Sequence, residues 1–177
     1  MVRISLLIYL CVAAGCGSPS KELTADYDNY KFDQQVIQRL RVYDSLAVAI
    51  LENFPSFQKL INEKDSYRSY RYMPLSDDSD LSKKLPQEGA AKINQYFTEL
   101  GTNFIYGFDV FKDSSIKIYI RKSFSEKDKV DIGENLSWET TGSNIRRREF
   151  PVKDTMLNKN WQYWIWFDKR NLVDNLF

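Results

Sequence analysis

From residue 33 to residue 54, apolar side chains recur at helical spacing: Val36, Ile37, Leu40, Tyr43, Ala47, Ile50, Leu51 and Phe54. Arg39, Arg41, Asp44 and Glu52 take the other side. The i, i+3, i+4 pattern predicts one long amphipathic helix. Pro55 ends it and suits the first turn of a second, short helix, whose stripe is Phe57, Leu60 and Ile61. Ser66 to Met73 reads as a strand, with Tyr70 and Tyr72 on one face and Arg71 between them. Asp77, Asp78, Ser79 and Asp80 mark a solvated loop. Pro86 opens a third helix with a buried face of Ala90, Ile93, Tyr96, Phe97 and Leu100, and Gly101 is placed to end it.

Beyond Gly101 the period changes to two. Phe104, Tyr106, Phe108 and Val110 alternate with Ile105, Gly107, Asp109 and Phe111. After a turn at Asp113-Ser114, Ile116, Ile118 and Ile120 alternate with Lys117, Tyr119 and Arg121, a hairpin pattern. Leu136, Trp138 and Thr140 make a further short strand, and Ile145 to Val152 another. Asn158-Lys159-Asn160 turns the chain into a last strand, Trp161 to Phe167, aromatic on both faces. Strands apolar on both sides are usually covered on both sides. Helices followed by antiparallel strands predict an α+β fold: a long N-terminal helix and shorter helices packed on a curved, mainly antiparallel sheet. In element order, residues 33–168 resemble the cone-like rolls of the NTF2-like and cystatin-like group. That resemblance implies a sheet wrapped around the long helix and enclosing a pocket.

The N-terminus has a different pattern. Arg3 is a positive start, Ile4 to Val12 is apolar apart from Ser5, and Ala13-Ala14-Gly15 precede Cys16. This is the layout of a secretory leader. The apolar run is well short of the ~20 residues that span a bilayer. Residues 13–16 resemble a lipobox, with Ala13 where Leu is preferred. The resemblance implies cleavage after Gly15 and a lipid-bearing Cys16 carrying acyl chains such as palmitate. Two or more chains hold a protein firmly to a membrane. Gly17 is not the aspartate that retains such proteins in some inner membranes, so the resemblance favours the outer membrane. The expected organisation is a signal peptide over 1–15, a small, polar tether over 16–30 and one α+β domain over 31–177.

Composition narrows the chemistry. The chain is 43% hydrophobic and 15% aromatic, enough for a packed core. Lys and Arg number 25 and Asp and Glu 24, and losing Arg3 with the leader evens them, so no surplus charge points to nucleic acid. The only cysteines are Cys11, which leaves with the leader, and Cys16. Histidine is absent. Triads built on His are excluded, and with no other thiol zinc and iron–sulfur sites have no ligands. No cofactor is implied.

The remaining candidates each have a plainer alternative. Ser56-Phe57-Gln58-Lys59 matches S-x-x-K, but its partner motifs are missing, and a helix surface explains it. Asp109, Glu139 and Asp168 sit on or beside strands and could hydrolyse a glycoside if suitably spaced, or could pair with Lys117 or Arg121. Asp109 stands out because neighbouring Gly107 could leave room over the sheet. Arg146-Arg147-Arg148 could meet anionic lipid, or guard an edge strand. Asp77, Asp78 and Asp80 could bind calcium but lack the EF-hand spacing. Asn135-Leu136-Ser137 matches a glycosylation sequon, of little weight behind a bacterial leader. In the last strand, Trp161, Tyr163, Ile165 and Phe167 are assigned to the core, and Gln162, Trp164 and Trp166 to the more open face. The expectation is an envelope lipoprotein that binds a protein or small ligand without catalysis, with Asp109, Trp164 and Trp166 as ligand-binding candidates. The alternative is a hydrolase or other enzyme using carboxylate, Tyr or Lys chemistry in a roll pocket.

Overall fold

The computed structural model describes residues 30–63, 68–74, 80–125, 130–139 and 152–169. The chain divides into two units, 1–31 and 32–177, and the described elements belong to the second. Helices α1 (Gln34–Gln38), α2 (Leu40–Glu52) and α3 (Phe54–Glu63) come first. Strand β1 (Ser69–Tyr72), a 3-10 turn (Leu81–Lys83) and α4 (Gln87–Leu100) come next. Five strands complete the order: β2 (Gly107–Phe111), β3 (Ile116–Ser125), β4 (Val130–Trp138), β5 (Val152–Met156) and β6 (Trp161–Lys169). All neighbouring strands pair antiparallel in one open sheet, ordered β1-β2-β3-β4-β6-β5. The fold is α+β.

The expected long helix is interrupted at Arg39, and its expected break into a second helix falls just before Pro55, at Asn53. At Arg39, ψ is 8°, and its N–H reaches back only three residues, to Val36 O at 3.1 Å. The last turn of α1 therefore tightens before α2 begins. Asn53 then separates α2 from α3, and its side-chain amide donates to Ala49 O at 2.9 Å. Pro55 falls in the first turn of α3, where its missing N–H costs nothing. Gly101 ends α4 with φ at +73°, a conformation that suits glycine.

One face of the sheet packs on the helices. Val36, Tyr43, Leu46, Ile50 and Phe57 from the helices join Phe108, Val110, Ile116, Ile118, Leu136, Trp161 and Tyr163 from the strands in one buried cluster. Polar atoms entering this core are satisfied: the Tyr43 hydroxyl donates to Phe104 O at 2.6 Å, and the Trp161 indole donates to Asp44. On β6, Trp161, Tyr163, Ile165 and Phe167 are all at or below 2% exposure, in line with their assignment to the core.

Several strand boundaries move, and β2 begins at Gly107 rather than Phe104. β4 starts at Val130, six residues before Leu136, and β5 is Val152–Met156 rather than 145–152. Residues 145–151 and Thr140 lie outside the described residues. The largest departure is a bulge in β3. Tyr119 pairs with Asn135, but Arg121 pairs with Glu134, so Ile120 is the extra residue. A bulge puts one more residue on one strand and reverses the alternation beyond it. Arg121, expected beside Lys117 and Tyr119, turns instead to the helix side.

Candidate functional site

The outer face of the sheet carries all three residues singled out from the sequence. In register, Arg71, Asp109, Lys117, Ser137 and Gln162 form one row, and Gly107, Tyr119, Asn135 and Trp164 the next. Trp166 lies beyond them, opposite Gly133. A Cβ on Gly133 would collide with the Trp166 ring, so glycine is what lets that indole lie flat on the sheet. The expected space over Gly107 is filled: a Cβ there would meet Met73 Sδ at 2.5 Å.

Asp109 is 3% exposed and fully engaged. Arg71 Nε donates to its Oδ1 at 2.9 Å and an Arg71 terminal nitrogen to its Oδ2 at 3.1 Å, while the Tyr119 hydroxyl donates to Oδ2 at 2.6 Å. The bond to Asp109 raises the Arg71 pKa, and burial, then Asp109, raises that of Tyr119. Arg71 closes the triangle by donating to the Tyr119 oxygen at 2.9 Å. The cross-strand partner expected for Asp109, Lys117, points its ammonium instead at the rings of Tyr119 (4.5 Å) and Trp164 (4.9 Å). Trp164, expected on the more open face, is 6% exposed, with its indole donating to Ser137 Oγ at 2.8 Å. Between Tyr119 and Trp164, Asn135 is fully buried, and neither side-chain polar atom has a partner. Burial at mid-strand also rules out its use as a sequon.

The other candidates do not converge. Asp168 pairs with Asp131 along β6, and Glu139 ends its strand with a backbone bond to Asn160 O. Ser56 and Lys59 lie on α3, with Lys59 exposed. Asp80 caps the 3-10 turn through Ser82 N at 3.1 Å. Asp77, Asp78 and Arg146–Arg148 lie outside the described residues. No helix among the described residues is long and apolar enough to cross a membrane, and no group of three or more His, Cys, Asp or Glu there could hold a metal.

The arrangement with open space lies on the helix side, where the bulge turned Arg121. A cleft of about 690 Å³ is lined by Asp33, Gln35, Thr102, Asn103, Phe104, Tyr106, Ile120, Arg121 and Lys122. This falls within the roughly 300–1,000 Å³ common for small-ligand sites. Three elements build it. Asp33 caps α1 by accepting from Gln35 N at 2.8 Å. The 102–106 loop is held by the Tyr43 hydroxyl at Phe104 and by Tyr106 N, which donates to Tyr119 O at 2.9 Å. Past that bond β2 has not begun, so β3 alone forms the third wall.

At the base of the cleft, Arg121 bridges two carboxylates. Its Nη2 reaches Asp33 Oδ2 at 2.5 Å and its Nη1 lies 3.7 Å from Glu134 Oε1. Glu134 is 2% exposed and accepts from the Tyr163 hydroxyl. Tyr163 is pushed well above its ordinary pKa by burial and by that bond to Glu134, so it remains a donor. Burial works against the Asp33 carboxylate, but its bonds to Arg121 and to the Gln35 and Val36 amides prevail and hold its pKa below the ordinary value. Of the two lining aromatics, Phe104 carries the Arg39 guanidinium over its ring at 3.9 Å, and Tyr106 lies 5.5 Å from the Tyr119 ring of the outer face.

The sequence pattern did not point to this cleft. One signal was available: Glu134 shares parity with Val130, Ile132 and Leu136, a charged residue on an otherwise apolar face. A strand begun at Leu136 leaves it out. Comparison with protein-family models, with curated proteins and with solved structures returns no match.

Proposed function

We propose that this chain is a lipid-anchored envelope protein whose α+β domain captures a small ligand in the cleft beside β3, without transforming it. The anchor rests on residues 1–17, whose charge, apolar run, small residues and Cys16 agree in order and spacing. The binding role rests on one observation above all: the β3 bulge turns Arg121 into an open cleft, between two carboxylates that hold it in place. Bulges recur next to functional sites because they re-aim a side chain. Capture fits better than catalysis. The Asp33 carboxylate is already engaged by Arg121 and by the Gln35 amide, Arg121 does not give up its proton, and the mature chain has no His or Cys nucleophile beyond the acylated Cys16.

The anchor is tested by Cys16→Ser in the full chain. The variant should leave the membrane fraction or accumulate at precursor size. Membrane recovery at mature size would contradict the anchor. The cleft is tested separately, by titrating the protein with ligands of defined charge.

A further inference from the structure

We infer that the cleft takes an uncharged, polyhydroxylated ligand, a saccharide. This rests on the reading of the cleft as a ligand site and goes on to its chemistry. Charge decides the class. At the base of the cleft Arg121 is bonded to Asp33 and lies beside Glu134, while Lys122 turns its ammonium to Asp131 at 3.5 Å and toward the Trp166 ring on the outer face. The one guanidinium at the base is thus already held between two carboxylates. A phosphate or carboxylate ligand would have to take Arg121 from its partners and leave Glu134, at 2% exposure, as a buried charge beside a second anion. A cationic ligand would have to compete with Arg121 for Asp33.

A neutral ligand disturbs neither pair. The rim offers it groups that both donate and accept: the amides of Gln35 and Asn103 and the hydroxyl of Thr102, all exposed. Ionised carboxylate oxygens and guanidinium N–H groups keep further capacity for hydroxyls after making one ion pair. Phe104 and Tyr106 add aromatic surface, which suits the C–H face of a sugar ring. Amides, a shared Arg–carboxylate pair and aromatic rings match a ligand that has both hydroxyls and an apolar face and carries no charge.

Isothermal titration calorimetry on the full chain in detergent micelles tests the class. One set of probes is neutral mono- to tetrasaccharides of gluco, galacto and manno configuration. The other is inorganic phosphate, sugar phosphates and uronic acids. The expected result is binding of at least one neutral saccharide, weakened about two- to tenfold by Asn103→Ala or Gln35→Ala, the worth of one hydrogen bond. Both side chains are exposed at the rim and stand outside the buried cluster, so their loss leaves the fold intact. If only the charged probes bind and the same variants weaken them, the cleft stands and the saccharide class is overturned. If a neutral saccharide binds and neither variant nor Tyr106→Ala alters its affinity, the placement in this cleft is overturned. Binding by neither set also overturns the class.

Discussion

On each face of the sheet an arginine and a tyrosine are joined through carboxylate groups, and the two networks leave different things over. On the outer face one carboxylate, Asp109, takes two bonds from Arg71 and one from Tyr119. The triangle is complete, and Asp109 is buried. On the helix side one arginine, Arg121, is divided between Asp33 and Glu134, and the group lines a cleft. A closed network specifies structure. An arginine held between two anions beside open volume is oriented in advance for a ligand, so less ordering remains to be done on binding. The aromatic outer face has the composition of a binding surface, yet Asp109, Tyr119, Asn135 and Trp164 at its centre are buried, and all but Asn135 have side-chain partners. The cleft has ordinary composition, and only its geometry supports its proposal as a site.

Substitutions can break this contrast. The largest effect is expected at Arg71→Ala. Arg71 itself is mostly exposed, but its loss strands Asp109 as a buried carboxylate with only the Tyr119 hydroxyl, a loss of about 3 kcal/mol. Chemical denaturation should show it, with ligand affinity unchanged once the protein is folded. Asp33→Ala should cost less stability, about 1 kcal/mol from the lost cap on α1. Its effect on binding should be the greater one, because Arg121 then loses the carboxylate that holds it in the cleft. Equal stability losses with no change in binding would erase the distinction between the networks.

Acid should act through the same residue. The Asp33 pKa is lowered in the folded protein, so its contribution is complete above the ordinary aspartate range, near 4, and is lost as pH falls through the lowered value. Ligand affinity measured from neutral pH downward should hold through the ordinary aspartate range and drop only below it. In Asp33→Asn that acid limb should be absent.

The smallest expected effect has the opposite sign. Asn135 is fully buried with both polar side-chain atoms unpartnered. Asn135→Leu removes two unsatisfied groups at little change in volume, and should raise stability by about 1 kcal/mol. A marked loss instead would show that Asn135 has a partner in solution, and the outer face would regain its standing as a candidate site.

The helices, the hairpin and the inward set on β6 were legible because burial imposes a period, 3.6 or 2, that the residues themselves display. Gly101 and Pro55 could be placed because each has a backbone property no other residue shares. The site was not legible, for a physical reason. It depends on a one-residue slip at Ile120, and a slip leaves composition untouched while exchanging the faces beyond it. Alternation carried through the slip puts Arg121 with Lys117, far from its actual partners. Asp33 and Glu134 lie 88 and 13 residues from Arg121 on opposite sides in the chain, so no local motif joins the three. Trp164 and Trp166 were singled out because alternation puts them with Gln162 on the face opposite the core, and nothing in spacing shows that an indole has a serine for a partner.

The most direct test of the claim that the cleft, not the aromatic face, is the binding site is a crystallographic fragment screen of the domain. Hits are predicted to cluster among residues 33–35, 102–106 and 120–122. Hits gathered on Trp164 and Trp166 over the outer face, with the cleft empty, would contradict it.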